Sequence, residues 1–231
     1  MEAIVLAGGF GTRLRDVVPD LPKPMAPVAG RPFLEILLTS LSRKGFHRVV
    51  LSVGYMAEKI TLHFGSSYAG MELVYEREST PMGTGGAIRQ ASRHCKGSHY
   101  FVFNGDSYLD LEVAQVEAWW QQNRAPIIVT RAVPDTARYG RIETSGNQVV
   151  SFTGQGIFGP GLINGGCYVF AINQLMHWPL AQPFSIETDY FPDEVKKRRF
   201  DVFLTQRQFI DIGVPEDYAR AQIELAGVFD L

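Results

Sequence analysis

Short apolar segments alternate with amphipathic segments along the first 133 residues of the chain. The apolar segments are compact and rich in β-branched residues, which is typical of buried strands. The segments between them repeat apolar residues every three or four positions, as surface helices do. This alternation predicts a mostly parallel sheet with helices on both faces. The predicted strands are 3–7, 48–53, 71–76, 100–104 and 126–133, and the predicted helices are 32–44, 56–64, 85–94 and 111–123.

The pattern changes after residue 133. A Ser145-Gly146-Asn147 turn between segments 141–144 and 148–152 predicts a hairpin. Farther on we predict a turn-rich loop at 154–161, a strand at 164–170, and helices at 186–198 and 215–226. No repeat or linker interrupts the chain, so we expect one domain with two parts, about 1–133 for nucleotide binding and about 134–231 for the sugar and a second metal ligand.

Composition narrows the class of protein. The 231 residues are 45% hydrophobic and 20% charged with a net charge of −2, which gives no support for a nucleic-acid binder. The two cysteines, Cys95 and Cys167, form no zinc-binding pattern and suit a reducing compartment. No apolar run is long enough for a membrane span, and the amino-terminal one is too short for a signal peptide. We therefore expect a cytoplasmic protein without a membrane partner.

A glycine-rich segment follows the first predicted strand. It reads Leu-Ala-Gly-Gly-Phe-Gly-Thr-Arg-Leu over residues 6–14. Glycines permit close approach of backbone N–H groups to an anion, and an arginine fork suits phosphate oxygens. The segment is not a Walker A loop, because no Gly-Lys-Ser/Thr ends it. It is not a dinucleotide fingerprint either, because Leu14 stands where the third glycine would be required. The residues expected to bind a nucleotide here are Leu6, Ala7, Gly8, Gly9, Gly11, Thr12 and Arg13.

A lysine lies between two prolines shortly after this loop. Pro22 and Pro24 predict a stiff, extended backbone around Lys23. Such a segment alone is usually only a rigid loop. Its distance of about ten residues from Arg13 favours a second cation directed at the same phosphates.

These two segments together resemble the opening signature of the sugar-1-phosphate nucleotidylyltransferase family. The resemblance implies a Rossmann-like, three-layer α/β/α (GT-A-like) fold. It also implies transfer of a nucleoside monophosphate to a sugar 1-phosphate, with release of pyrophosphate. Arg13, Lys23 and Asp106 match the family's catalytic positions, and a homodimer is plausible by the same resemblance.

The segment 78–87 resembles the family loop that holds the base. Gly83 matches its base-contacting glycine, and Thr84 follows it. Glu78 stands where thymidylyl-transferring relatives carry glutamine. A carboxylate can accept hydrogen bonds from both N1–H and N2–H₂ of guanine, which favours GTP over UTP or dTTP. The alternative is that Glu78 is a solvated charge beside Arg77.

Two aspartates match the metal ligands of the family. Asp106 follows a predicted buried strand, and Asp211 lies in a segment that resembles the family's Asp-x-Gly-Thr-Pro stretch, with Val214 in place of threonine. Mg²⁺ commonly takes one or two protein carboxylates and completes its shell with phosphate oxygens and water. Asp110 is a weaker candidate that we expect to cap a helix.

Three later segments resemble the sugar pocket of the family. The residues implied are Tyr139, Gly140, Asn164, Gly165 and Glu187, although a turn residue or a helix-start charge explains Asn164 and Glu187 equally well. One feature departs from the family: the lysine that many relatives carry after the strand ending at Phe152 is missing. We expect Arg141 or Lys23 to contact the phosphate of the acceptor sugar instead.

Glu78, the Tyr-Gly pair and the Phe-Ser-Ile-Glu segment at 184–187 most resemble guanylyltransferases for heptose 1-phosphates, which supply capsule or surface polysaccharide. Mannose-1-phosphate guanylyltransferases and N-acetylmuramate-1-phosphate uridylyltransferases are alternatives. A sensor that binds a sugar nucleotide without turnover is a different class, and the presence of Arg13, Lys23 and both aspartates disfavours it.

Overall fold

The computed structural model describes residues 1–9, 14, 18–179 and 183–228. The strands in chain order are β1 (Glu2–Ala7), β2 (Pro27–Val28), β3 (Arg31–Pro32), β4 (Arg48–Val53), β5 (Ser67–Tyr68), β6 (Met71–Arg77), β7 (His99–Asn104), β8 (Ser107–Leu109), β9 (Ile127–Val133), β10 (Ile142–Ser145), β11 (Gln148–Phe152), β12 (Gly161–Ala171), β13 (Asp201–Thr205) and β14 (Phe209–Asp211). The helices are α1 (Phe33–Arg43), α2 (Ala57–Phe64), α3 (Gly83–Ala91), α4 (Val113–Asn123), α5 (Phe191–Glu194) and α6 (Pro215–Glu224). Short 3-10 turns span Lys23–Met25 and Ser92–His94, and a π turn spans Ile186–Tyr190.

Within these described residues, ten strands form one sheet in the order β10-β11-β13-β9-β12-β7-β1-β4-β6-β5. Strands β7, β1, β4 and β6 are parallel neighbours, so their carboxyl ends meet at one edge. Strand β12 runs antiparallel between β7 and β9, and its register shifts between Asn164 and Tyr168. Because β12 comes from the second part of the chain, both parts share one sheet.

Alternation along the strands divides the core into two layers. Ala3 and Val5 of β1 face a cluster that includes apolar residues of α1, α2 and α4. Ile4 faces the opposite cluster, formed with α3, α5 and the π turn. The predicted three-layer α/β/α fold is therefore confirmed. The sheet itself is mixed: β7, β1, β4 and β6 are parallel as expected, whereas β12 and the strands beyond it form mainly antiparallel pairs.

A third apolar cluster supports the functional edge. It joins Phe33 and Ile36 of α1 to Ala221 of α6, with Tyr108 and Ile210 between them. Tyr108 and Ile210 are paired in the antiparallel ladder of β8 and β14. This ladder lies outside the large sheet and fixes the segments that follow β7 and precede α6.

One predicted helix was wrong, and several short strands were not predicted. The helix expected over 186–198 is a π turn followed by the short helix α5, because Pro192 at the start of α5 cannot donate a backbone hydrogen bond. Strand β13 was not predicted. Its charged residue Asp201 is fully buried and its apolar residue Leu204 is half-exposed, which obscures the usual alternation of apolar and polar residues along a strand. In the described chain, no helix combines the length and apolar character needed to cross a bilayer.

Candidate active site

A cavity of about 570 Å³ opens at the edge where the parallel strands end. Its wall combines glycine backbone, carboxylates and one lysine, which suits a polyanionic ligand with a planar base. The described residues that line it are Leu6, Gly8, Gly9, Lys23, Pro24, Gly54, Tyr55, Glu78, Ser79, Thr80, Pro81, Gly83, Thr84, Ala87, Asn104, Asp106 and Gly213. Most of the predicted nucleotide-binding residues that the structure describes are therefore in one place.

Lys23 lies between the two predicted metal ligands. Its Nζ donates a 2.5 Å hydrogen bond to Asp106 Oδ2 and lies 3.8 Å from Asp211 Oδ1. The lysine side chain is 11% exposed, whereas those of Asp106 and Asp211 are 37% and 26% exposed. The cluster can thus offer one ammonium and two carboxylates to phosphate groups and a cation.

The backbone around Lys23 differs from the prediction. Pro22 is extended, but Lys23 begins a 3-10 turn in which Met25 N donates to Pro22 O. Proline is tolerated in the first turn of a helix, where its missing N–H is not needed. The turn directs Lys23 toward the aspartates without the extended conformation that we expected.

The ladder of β8 and β14 brings the two aspartates together. Asp211 is in register with Ser107, next to Asp106, and Ile212 N donates to Asp106 O at 2.9 Å. Gly213 N then donates to Asp211 Oδ1 at 2.7 Å. A Cβ on Gly213 would lie 2.8 Å from Asp211 Oδ1 and 3.1 Å from Lys23 Nζ, so this position needs glycine for the present arrangement.

Glu78 lines the cavity, and each of its carboxylate oxygens accepts one hydrogen bond from the protein. Its Oε2 accepts a hydrogen bond from Met82 N at 3.1 Å, and its Oε1 accepts one from Ser52 Oγ at 3.3 Å. A Cβ on Gly8 would lie 2.6 Å from Oε1, so the glycine loop and Glu78 are in close contact. Each oxygen keeps a lone pair for a further donor. Glu78 is thus fixed by neighbours and is not simply a solvated charge.

The predicted base loop is tied to the predicted sugar segment. Phe184 N donates to Met82 O, and Gly85 N donates to Phe184 O, both at 3.0 Å. Thr84 Oγ1 donates to Glu187 Oε2 at 2.6 Å and accepts from Ile186 N at 2.9 Å. Thr84 therefore lines the cavity while its hydroxyl holds Glu187.

Asn164 and Glu187 are linked through Tyr168. Asn164 Nδ2 donates to the Tyr168 hydroxyl at 2.6 Å, and that hydroxyl donates to Glu187 Oε1 at 3.3 Å. Gly165 lies buried at the register shift of β12. Of the predicted sugar residues, these three are in one region beside the cavity.

Tyr139 and Gly140 do not line the cavity in the part of the chain that the structure describes. Tyr139 is 37% exposed, and the Arg138 guanidinium lies 5.4 Å from its ring centre. Burial raises the pKa of Tyr139, and the charges of Asp217 and Asp211 raise it further. Arg138, which precedes this pair, donates to Asp217 Oδ2 of α6 at 2.7 Å, so the pair is next to a residue that is tied to α6.

Two charged residues have partners other than the ones we expected. Arg141 donates to the carbonyl oxygens of Phe158 and Gly159 and to Thr136 Oγ1, so its guanidinium holds a loop in place. Asp110 does not cap α4; it accepts a 2.6 Å hydrogen bond from Lys44. Gly11, Thr12 and Arg13 lie outside the described residues.

Several lining residues were not predicted from the sequence. Tyr55 follows β4 and Asn104 ends β7, so both lie at the edge where parallel strands end, and that rule could have identified them. Ser52 and Tyr168 do not line the cavity but bond Glu78 and Glu187 from behind it. They gave no such signal, because each is an ordinary strand residue whose hydroxyl acquires its partner only through tertiary packing.

The aspartate pair fits a magnesium site completed by substrate. Among the described residues, no group of three or more His, Cys, Asp or Glu side chains could hold a metal ion. Oxygens of Asp106 and Asp211 lie 2.5 Å and 3.8 Å from the same Lys23 ammonium, so the two carboxylates are close neighbours. Two carboxylates with phosphate oxygens and water are a usual set for Mg²⁺.

The whole chain is similar to known nucleotidyl transferases. The profile of the family described as Nucleotidyl transferase matches residues 2–227. D-glycero-alpha-D-manno-heptose 1-phosphate guanylyltransferase of Aneurinibacillus thermoaerophilus is 37% identical, over 97% of this chain and 98% of its own. The Campylobacter jejuni protein of the same name is 36% identical, over 94% and 97%. The crystal structure of HddC from Yersinia pseudotuberculosis complexed with GMP-PN superposes with a TM-score of 0.83 at 34% identity, over 96% and 97% of the two chains. The chain therefore belongs to the nucleotidyl transferase family.

Proposed function

We propose that this protein transfers GMP from GTP to D-glycero-α-D-manno-heptose 1-phosphate, forming GDP-heptose and pyrophosphate. The names of the two relatives that match over nearly their full length support this substrate pair. The GMP-PN bound to HddC supports a guanine nucleotide as donor. The observation that carries the proposal is that Lys23, Asp106 and Glu78 line one cavity, while Asp211 lies 3.8 Å from the Lys23 ammonium.

The geometry suggests how the cavity divides between parts of the nucleotide. The base would lie against Glu78, Gly83 and Thr84, where two carboxylate oxygens can accept from N1–H and N2–H₂ of guanine. The phosphates would lie between the glycine loop and Lys23. Leu6, Ala7, Gly8 and Gly9 are the described part of that loop, and we keep Gly11, Thr12 and Arg13 as proposed phosphate contacts.

The reaction needs positioning and charge neutralisation more than proton transfer. An oxygen of the sugar phosphate attacks the α-phosphorus in line; the bond to the bridging oxygen breaks, and pyrophosphate leaves with that electron pair. The attacking oxygen is already anionic, so no general base is required. Lys23 is placed to neutralise charge on the phosphates as they react. Asp106 and Asp211 would hold Mg²⁺, which when bound neutralises phosphate charge and orients the two substrates.

The acceptor sugar would lie beside the register shift of β12. Asn164, Gly165 and Glu187 form one proposed side of its pocket, and Tyr139 with Gly140 forms the side near Asp211. Because Arg141 is engaged with a loop, Lys23 is the better of the two proposed partners for the acceptor phosphate. A cytoplasmic location, a homodimer and a role in capsule or surface polysaccharide synthesis complete the proposal.

A substrate panel tests this proposal. The protein is incubated with Mg²⁺, one of GTP, UTP, dTTP or CTP, and one of several sugar 1-phosphates, and pyrophosphate and the nucleotide sugar are quantified. We expect the highest kcat/KM with GTP and the heptose 1-phosphate. Pyrophosphate release without a sugar acceptor, or no product with any pair, would reject the transferase assignment; a preference for mannose 1-phosphate would reject the heptose.

A further inference from the structure

Three side chains beside the cavity form a hydrogen-bond chain whose direction is fixed. Gly166 N–H donates to Asn164 Oδ1 at 2.8 Å, which leaves the amide nitrogen facing the other way. Asn164 Nδ2 donates to the Tyr168 oxygen at 2.6 Å, and Tyr168 therefore has its own proton free for Glu187 Oε1 at 3.3 Å. The backbone N–H at one end thus sets the orientation of every group along the chain.

The Tyr168 ring holds its hydroxyl in this place. The side chain is fully buried, with ring centres 5.8 Å from Phe170 and 5.0 Å from Phe191. Burial raises the pKa of Tyr168 well above its usual value, so the phenol stays a neutral donor under ordinary conditions. The hydroxyl is consequently a fixed point between β12 and the segment that carries Glu187.

The other oxygen of Glu187 faces the nucleotide side. Glu187 Oε2 accepts hydrogen bonds from Thr84 Oγ1 at 2.6 Å and from Ser185 Oγ at 2.9 Å. Thr84 is the second residue of α3 and lines the nucleotide cavity. The chain of contacts therefore runs from β12 through Tyr168 and Glu187 to the wall of the cavity.

We infer that Tyr168 is a positioning residue for the sugar 1-phosphate: its hydroxyl sets the Asn164 amide and the Glu187 carboxylate at a fixed separation and orientation. An amide and a carboxylate held in this way offer a donor and an acceptor to neighbouring hydroxyl groups of a polyol. The inference rests on the proposed function. It assigns a role to a buried residue that does not contact the substrate and acts through Asn164 and Glu187, which would contact it.

The test is Tyr168→Phe, which keeps the ring and removes the hydroxyl. Asn164 and Glu187 then each lose a partner and can reorient. We expect the KM for the sugar 1-phosphate to rise about tenfold or more, while the KM for GTP changes less than about twofold. Tyr190→Phe is the matched control, since this tyrosine packs on the same Phe191 but its hydroxyl bonds only Gln174 in the described chain. Its KM values are expected to stay at the wild-type level.

A double-substitution cycle separates positioning from a general loss of stability. If Tyr168 acts through Glu187, Tyr168→Phe raises the sugar KM much less in the Glu187→Gln background than in the wild-type background. Full additivity, or a Tyr168→Phe enzyme with an unchanged sugar KM, would overturn the inference. A wild-type protein that makes no nucleotide sugar would instead overturn the proposed function, so the two failures can be told apart.

Discussion

The charged side chains of the cavity have polar partners before a substrate binds. Lys23 bridges Asp106 and Asp211, and Glu78 accepts hydrogen bonds from Ser52 and Met82. Such pairs offset much of the cost of removing charges from water. The residue types were predictable from the sequence, because the glycine loop, Pro-Lys-Pro and both aspartate segments are local motifs. Their partners were not, since Lys23 and Asp106 are 83 positions apart.

The guanine preference can be tested at Glu78. A glutamine there offers one acceptor and one donor in place of two acceptors, so it cannot satisfy N1–H and N2–H₂ together. We expect Glu78→Gln to lower kcat/KM for GTP by about tenfold to a hundredfold and to change that for UTP much less. Steady-state kinetics with both nucleotides measure this.

Glu76→Gln is the control, because Glu76 lies on β6, two positions before Glu78, and pairs with His94 at 2.7 Å instead of lining the cavity. An equal fall in kcat/KM for GTP and UTP in Glu78→Gln would show that Glu78 supports the loop but does not discriminate between bases.

At the scale of elements, the small ladder of β8 and β14 decides whether the two aspartates can act together. It holds Asp211 beside the segment of Asp106, and the turn at Gly213 closes on Asp211. Neither strand was predicted, because each has three residues and too few positions to show a period. Longer elements with clear alternation, such as β4 and α1, match their predictions within a residue or so.

Gly213→Ala tests this turn. The new Cβ would displace Asp211 Oδ1 and Lys23 Nζ, both of which are ends of flexible side chains. We therefore expect little change in the unfolding midpoint, a fall in kcat/KM of about tenfold or more, and weaker Mn²⁺ binding by titration with the nucleotide present.

Gly227→Ala is the comparison, since a Cβ there meets nothing within 4 Å. Unchanged kinetics and Mn²⁺ binding in Gly213→Ala would mean that the aspartate geometry is not important for the reaction.

At the scale of the whole molecule, stability at alkaline pH depends on buried groups of the core. Burial raises the pKa of Cys95 to about 12 from an ordinary 9.0, and that of Tyr190 to about 12 from 10.0. Both groups are neutral in the folded state and ionise more readily when the chain unfolds. Their contribution to the free energy of unfolding is complete below the pKa values of the unfolded state. It is lost as the pH rises toward the pKa values of the folded state.

We expect the free energy of unfolding to fall from about pH 9 upward, by at most about 1.4 kcal/mol per pH unit for each group. Urea denaturation at about pH 8 and about pH 10.5 measures the change. Cys95→Ser should show a smaller fall, because serine does not ionise in this range. A free energy of unfolding that stays constant over this interval would contradict the expectation.

The sequence by itself determined the layered fold, the glycine-rich segment after the first strand and the types of residue that line the cavity. Hydrophobic period and glycine or proline motifs are local properties, and local sterics enforce them without distant contacts. Only the tertiary structure decided that Lys23 bridges two aspartates, that Arg141 holds a loop, and that Tyr168 joins Asn164 to Glu187. These pairings depend on how strands from both parts of the chain are ordered and registered in the fold, which no local pattern specifies.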